Sequence, residues 1–149
     1  MTRRLPWLAV SAAFAACSPA PIERAQGGGS AAPTAAPTPV GSLVGEYRVA
    51  GIDGEALDLP FALTLSIDER SIVNEGVCGG DAWDYRLEGT KLELTRTRSP
   101  DPACLATVRV HPVVLRLPAA IDAATRAGRT QSNGIEFSGG GHSVTLYSQ

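Results

Sequence analysis

The chain has 149 residues, of which 44% are hydrophobic and 19% are charged, a balance that predicts one modest globular domain with appended segments. The formal net charge of the chain is −2, and apart from the pair Arg3 and Arg4 its basic residues are arginines scattered singly and one lysine, Lys91. Because nucleic-acid phosphates are bound by clustered Lys and Arg, this distribution argues against a nucleic-acid partner.

Residues 1–16 have the features of an export signal. Arg3 and Arg4 provide a positive start, and residues 5–16 follow without a charge. That uncharged run is far shorter than the roughly 20 residues that a helix needs to cross a bilayer. Removal of this segment leaves eleven basic against fifteen acidic residues, a net charge of −4. We therefore predict an exported protein whose mature form has no membrane-spanning helix.

The segment Phe14-Ala15-Ala16-Cys17 fits the bacterial lipobox, in which a cysteine after two small residues is acylated and becomes the new N-terminus. Phe14 stands where Leu is usual. The chain has three cysteines, so one disulfide leaves one thiol over, and acylation of Cys17 accounts for it. Ser18, rather than an aspartate, favours the outer membrane. We predict a lipid anchor on the periplasmic face of that membrane; a soluble periplasmic or secreted protein is the alternative.

Residues 17–42 are predicted to form the lipidated cysteine and a flexible tether. The stretch 18–42 consists almost entirely of Ala, Pro, Gly, Ser and Thr. Such a composition buries too little apolar surface to offset the entropy lost on ordering. The folded domain is therefore predicted to span residues 43–149.

The domain is predicted to be mainly β, an antiparallel sheet with one short helix. Period-two alternation and turn dipeptides such as Asp68-Glu69, Glu88-Gly89 and Asn133-Gly134 indicate strands joined by tight reversals. The paired runs that predict hairpins are 61–67 with 72–73, 83–88 with 91–95, and 135–138 with 143–148. The aromatic residues expected in the core are Tyr47, Phe61, Trp83, Tyr85, Phe137 and Tyr147.

One helix is predicted between His111 and Ala124. Pro118 lies inside it, and because proline removes a donor and crowds the preceding turn, we expect a short or kinked helix, or a helical turn that begins at Pro118. The apolar residues expected on one side of this helix are Val114, Leu115, Leu117 and Ile121.

The two remaining cysteines, Cys78 and Cys104, are predicted to form a disulfide. Export places them in an oxidising compartment, and they flank one predicted hairpin. The glycine-rich run 75–81 around Cys78 has no Gly-Lys-Ser/Thr and no nearby histidine, so it is interpreted as the bend of that bridge rather than as a phosphate loop or a nucleophile.

No catalytic residue, metal site or organic cofactor is predicted. His111 and His142 are the only histidines, too few for a typical zinc site beside two paired cysteines. Asp81 and Asp84 are interpreted as solvated carboxylates of turns. Convergence of Asp81, Asp84, Glu75 or His142 in one concave site would overturn this interpretation.

Several short motifs resemble the META domain of HslJ-like heat-shock lipoproteins. Leu43-Val44-Gly45-Glu46-Tyr47 resembles the family's opening Leu-x-Gly-x-Trp, with Tyr in place of Trp. Val77-Cys78-Gly79-Gly80 stands where the family has Gly-Cys-Asn, and Pro102-Ala103-Cys104 resembles its Met-Ala-Cys. The Asn after Cys78 is absent. The resemblance covers nearly all of residues 43–149 and implies a small antiparallel barrel-like sheet with a helix, an envelope location, a link to stress or secretion, and no catalytic residues.

These observations predict a monomeric, non-catalytic envelope lipoprotein that binds or supports another, unidentified envelope protein. Two alternatives stay open. The first is an inhibitor of lysozyme or another hydrolase, for which the segment Arg98-Ser99-Pro100-Asp101 is the candidate loop. The second is a lipocalin-like binder, because about 107 residues close a barrel barely wide enough for one small ligand.

Overall fold

The computed structural model describes residues 37–149. The predictions made for the export signal, for acylation of Cys17 and for the tether up to residue 36 lie outside these residues. Within the described range the strands, numbered in chain order, are β1 (Gly45–Ile52), β2 (Glu55–Ala56), β3 (Thr64–Ile67), β4 (Ser71–Asn74), β5 (Asp81–Glu88), β6 (Lys91–Arg98), β7 (Arg126–Arg129), β8 (Ile135–Gly139) and β9 (His142–Ser148). The helices are α1 (Pro102–Leu105) and α2 (Pro112–Asp122).

Eight of the strands close into an antiparallel barrel, which confirms the predicted mainly β, barrel-like fold. The strand order is β1-β3-β4-β5-β6-β7-β8-β9, and β9 pairs back onto β1. The two-residue strand β2 pairs only with the end of β1, at Gly51 and Ile52, and lies outside the ring. Closure matters because it pairs the edges that an open sheet would leave free.

The barrel interior is filled by large apolar side chains. The largest fully buried ones include Trp83, Phe137, Leu65, Ile72 and Leu146. The interior of an eight-stranded barrel is just wide enough to be filled by side chains, and side chains fill the interior of this barrel. The core prediction is wrong for two aromatic residues, Phe61 and Tyr147, whose exposed fractions are 40% and 39%.

Helix α2 packs against β1, β6, β8 and β9 and supplies part of the core. It begins after His111, whose Nδ1 accepts a hydrogen bond from the Val113 backbone N–H at 3.3 Å. Its buried residues are Val113, Leu117, Ala120 and Ile121. This spacing of four, three and one keeps the buried residues on a single helix face.

The structure corrects one expectation about α2 and decides another. Leu115, expected beside Leu117, lies on the outer side of the helix and is 58% exposed. Of the alternatives expected around Pro118, the structure has a helix that runs through Pro118 to Asp122 and not a turn that begins there. Pro118 has no N–H to donate, but the buried face on both sides of it holds the helix in place. Within residues 37–149, no helix has the length and apolar character needed to span a membrane.

The segment before β1 contacts the barrel. Thr38 and Arg129 exchange backbone hydrogen bonds, at 3.2 Å and 2.8 Å, and the side chains of Val40 and Leu43 are buried. A Cβ at Gly128 would overlap Pro37, so glycine is what allows this close approach. Thr38 and Val40, which composition assigns to the tether, thus pack with the folded domain.

The disulfide predicted between Cys78 and Cys104 is present, with the two Cα atoms 5.6 Å apart. It joins a 3₁₀ turn at Val77–Gly79, between β4 and β5, to α1, which follows β6. The Asp101 carboxylate caps α1 by accepting from the Ala103 N–H, and the Asp101 N–H donates to the Cys78 carbonyl at 2.9 Å. The disulfide-linked segment, residues 77–79 with 99–105, therefore forms one wall outside the barrel.

Candidate binding site

A cavity of about 390 Å³ lies between α2, the end of β6 and the disulfide-linked segment. Its walls are mainly apolar. The apolar side chains that line it are Val77, Pro100, Leu105, Val110, Val114, Leu115, Pro118 and Ala119. Pockets of this size with apolar walls and a few polar groups are typical of small-molecule sites.

Asp122, the last residue of α2, organises the polar side of the cavity. Its Oδ1 accepts from the Trp83 Nε1–H at 2.7 Å and from the Arg96 Nε–H at 3.1 Å, and its Oδ2 lies 2.7 Å from Arg96 Nη2. The Arg96 guanidinium also lies over the Trp83 ring, 5.3 Å from its centroid. Asp122 therefore satisfies a fully buried indole and pairs with an arginine by two parallel contacts.

Asp81 is the second carboxylate of the cavity, and its environment is different. Its side chain is only 6% exposed, and its nearest cationic atom is Arg96 Nη1, 3.5 Å from Oδ1. That distance counts as an ion pair, but Oδ1 accepts no hydrogen bond from the described residues. A contact at 3.5 Å is too long for a charge-assisted hydrogen bond, so we treat Asp81 as electrostatically paired and not hydrogen-bonded.

Burial raises the pKa of the Asp81 carboxyl above its usual range. The charge of Arg96 opposes this shift, the charge of Asp122 adds to it, and that of Arg98 opposes it. Removal from water disfavours the charged form of a carboxyl unless hydrogen bonds replace those of water. At Asp81 the loss of water is the dominant effect.

The local sequence explains how these side chains come to face inward. Asp81 and Trp83 are two apart on β5 and both are buried, so they share the inner face. Leu92, Leu94 and Arg96 likewise alternate on β6, which continues an apolar face with a charged residue. A charge at such a position is costly to bury alone, and Asp122 provides its partner.

The residues singled out from the sequence do not converge. Of Asp81, Asp84, Glu75 and His142, only Asp81 lines the cavity. Asp84 is exposed on β5, Glu75 pairs with Arg98 at 3.6 Å, and His142 pairs with Asp53. The absence of catalysis stays a prediction.

A second polar cluster lies on the surface around Asp53. Its Oδ1 is 3.0 Å from His142 Nδ1 and accepts from the Ser143 backbone N–H at 3.1 Å. Arg116 lies 3.7 Å from Asp53 Oδ2 and donates to Glu55 at 2.9 Å. The Ser143 hydrogen bond is the largest of the effects that lower the pKa of Asp53; those of His142 and Arg116 act in the same direction, and desolvation opposes them.

Among residues 37–149, no group of three or more His, Cys, Asp or Glu side chains is arranged to hold a metal ion. The prediction that the protein has no metal therefore stays a prediction.

The segment Arg98–Asp101, the candidate loop of an inhibitor, forms part of the cavity wall. Ser99 and Pro100 line the cavity, while Arg98 and Asp101 are held by Glu75 and by the Cys78 carbonyl. The loop is thus tied to the disulfide-linked segment.

The interpretation of Asp81 as a solvated turn carboxylate is wrong, because Asp81 lies on β5 and its side chain is only 6% exposed. Sequence reasoning did not single out Arg96 or Asp122. Two signals were available for them. Arg96 interrupts an alternating apolar face, and Asp122 ends a helix where the macrodipole disfavours a negative charge. Each residue type is unfavourable at its position in the strand or helix, and such a residue typically has a specific partner.

No protein-family model, curated protein or solved structure matches the chain. The META-like assignment accordingly stays a prediction from motifs, and the candidate site depends on its own geometry.

Proposed function

We propose that this protein is a non-catalytic, lipid-anchored binding protein of the bacterial cell envelope, of META/HslJ-like type, and that it binds an envelope component in the cavity beside Asp81. One observation carries this proposal: a preformed cavity of about 390 Å³ in which a nearly fully buried carboxylate oxygen accepts no hydrogen bond from the described residues. An unpaired buried polar group beside a concave, mainly apolar pocket supports a site whose hydrogen bonding a bound molecule completes.

The filled barrel interior supports a binding site outside the lumen. Trp83, Phe137 and their neighbours occupy the space where a lipocalin-like barrel would hold its ligand. The cavity instead uses the outer side of α2 and the disulfide-linked segment. This arrangement supports a binder whose site is held rigid by a closed barrel and a covalent bridge.

The cavity also gives a direct test of binding. Ala119 is an exposed residue of α2 that lines the cavity, so Ala119→Trp fills the site from the solvent side. Ala56→Trp on β2 is a matched control, because Ala56 is exposed and lies outside this cavity. The whole protein, isolated from bacterial envelopes in mild detergent, is analysed by native mass spectrometry for bound molecules.

We expect a bound mass in the wild-type protein and in Ala56→Trp that is lost in Ala119→Trp. The same bound mass in all three proteins, or none in the wild type, would contradict binding at this cavity.

The anchor is tested separately at Cys17. In a two-membrane bacterium, Cys17→Ser is expected to move the protein from the membrane fraction to uncleaved precursor or soluble periplasm, because acyl chains supply the membrane affinity. The measurement is fractionation together with intact mass. Unchanged detergent partitioning and unchanged mass in the variant would rule out acylation at this residue.

A further inference from the structure

We propose that the cavity binds a small cationic amphiphile, a molecule with an apolar body and one ammonium group, and that the Asp81 carboxylate receives the ammonium. This inference rests on the proposed function and names the ligand class of the same site.

The charge balance of the cavity favours a cation. Two carboxylates, Asp81 and Asp122, share one guanidinium, that of Arg96. The shorter contacts of Arg96 all go to Asp122, at 2.7 Å and 3.1 Å, and the contact to Asp81 is 3.5 Å. Arg98, the next cation, pairs with Glu75 at 3.6 Å. Among the described residues Asp81 therefore has only this longer ion pair, and the cluster of Asp81, Asp122 and Arg96 carries one negative charge in excess.

Hydrogen bonding points to the same chemistry. A charged acceptor that is more than nine-tenths buried is costly unless donors replace the water it has lost. An ammonium group supplies both a positive charge and three donors. The pKa of Asp81, raised by burial, would be lowered again by such a group beside it.

An anionic ligand fits the site less well. The Nε and Nη2 donors of Arg96 are occupied by Asp122, and its Nη1 lies 3.5 Å from Asp81 Oδ1. An incoming anion would also face the charge of Asp81. The same groups that favour an ammonium therefore disfavour a carboxylate or a phosphate.

The rest of the cavity accounts for the apolar body. Leu105, Val110, Val114 and Pro118 form the walls, and Val77 and Leu115 extend them to the rim, where both are exposed. Exposed aliphatic side chains that border a cavity gain contacts when an apolar ligand covers them. The ligand is thus expected to place its charge inside and its apolar body along α2.

Three probes of equal size separate these contributions: benzylamine, benzyl alcohol and benzoate. They are titrated at pH 7 into the whole chain held in lipid nanodiscs, with binding followed by ligand-observed NMR and empty nanodiscs as the blank. Asp81→Asn removes the charge, and Asp84→Asn on the exposed face of the same strand is the matched control. Ala119→Trp blocks the cavity.

We expect benzylamine to bind about tenfold or more tightly than benzyl alcohol, since a hydrogen bond to a charged group contributes more than a neutral one, and benzoate to bind most weakly. Asp81→Asn should abolish this preference, whereas Asp84→Asn should keep it.

The remaining outcomes overturn the inference in distinguishable ways. If Ala119→Trp blocks all three probes but the wild type binds them equally, or prefers benzoate, the cavity is a binding site and the ammonium inference is wrong. If the amine preference survives in Asp81→Asn, Asp81 is not the receiving group. If no probe binds the wild type above the blank, the inference fails, while a bound mass lost from Ala119→Trp in the native spectra would still support the proposed function.

Discussion

The cavity cluster consists of Asp81, Arg96 and Asp122, and the surface cluster consists of Asp53, Arg116, Glu55 and His142. The two clusters contain similar charges, but the pKa of Asp81 in the first and the pKa of Asp53 in the second are shifted in opposite directions. Each has two carboxylates around one arginine. In the surface cluster, Asp53 accepts a backbone hydrogen bond from Ser143 and its pKa is lowered. In the cavity cluster, Asp81 has no such bond at Oδ1 and its pKa is raised.

This difference shows that the number of neighbouring charges does not decide whether the pKa of a carboxyl group in this protein is raised or lowered. What decides it is whether donors replace the water that burial removes. Asp53 has donors from β9 and keeps contact with solvent, whereas Asp81 has been desolvated without them. Four variants test this comparison, and they follow from the largest expected change in stability to the smallest.

The largest loss of stability is expected on removal of the disulfide, whose segment forms a wall of the cavity and not of the surface cluster. Cys78→Ser with Cys104→Ser opens a bridge between residues 26 apart, and the chain-entropy relation predicts a loss of about 3.5 kcal/mol in the free energy of unfolding. Chemical denaturation measures the loss. Maleimide labelling of both thiols in the native, unreduced protein would show instead that the bridge is absent.

Asp122→Ala is expected to cost about 2 kcal/mol, because it leaves the buried Trp83 Nε1–H without its acceptor. The ion pair with Arg96 is partly exposed and adds little to this figure. Asp122→Asn, which keeps an oxygen acceptor, should lose less than half as much in the same denaturation experiment. Equal losses in the two variants would place the effect in the ion pair and not in the indole hydrogen bond.

Asp81→Asn is expected to stabilise the protein at pH 7, on the order of 1 kcal/mol, because it removes a buried charge whose Oδ1 accepts no hydrogen bond from the described part of the chain. The pKa of folded Asp81 is raised, so the folded wild type binds more protons than the unfolded chain between the usual value of 3.8 and the folded value. Wild-type stability therefore falls as pH rises through this window, and the gain from Asp81→Asn disappears as pH drops below it.

Thermal unfolding of Asp81→Asn and the matched Asp84→Asn across this pH range checks the sign. A loss of stability at pH 7 in Asp81→Asn, with Asp84→Asn unchanged, would mean that Arg96 satisfies Asp81 after all.

The smallest effect is expected at Asp53, with the opposite sign. The pKa of folded Asp53 is lowered, so its contribution to stability is present above the usual value of 3.8 and is lost as pH falls through the folded value. Asp53→Asn should therefore lower the melting temperature slightly at pH 7 and make no difference in strong acid. Asp58→Asn, at a neighbouring exposed carboxylate, is the control. A gain in stability would remove the contrast between the two clusters.

Most strands were predictable because apolar alternation and turn dipeptides are local patterns. The disulfide was predictable because the number of cysteines leaves one pair after Cys17 is assigned to the anchor. The hairpin of β5 and β6 is confirmed at Gly89, whose φ of 62° suits the turn, and Asn133 takes a similar φ of 64° before β8. Strand β7 was missed, since Arg-Ala-Gly-Arg has no apolar alternation. It is a strand because β6 and β8 pair with it from either side.

The helix was predicted at the right place, and Leu117 and Ile121 are buried as expected, whereas the prediction is wrong for Leu115. Periodicity located α2, but the choice between Val113 and Leu115 as a core residue depends on where the barrel lies around the helix. Phe61 shows the same limit, because it continues the alternation of β3 in sequence but packs edge-on against the His111 ring, 5.9 Å away, at the surface.

By itself, the sequence determined most of the strands, their turns and the cysteine pairing. Apolar alternation and turn chemistry act over short distances, and the number of thiols is a property of the whole composition. Only the tertiary structure decided which carboxylate is satisfied. Asp122 meets Arg96 across 26 residues and Trp83 across 39, and the position of α2 against the barrel makes both contacts. Among residues 37–149, no donor reaches Asp81 Oδ1. Desolvation and hydrogen bonding depend on every element packed around a group, and no local pattern encodes them.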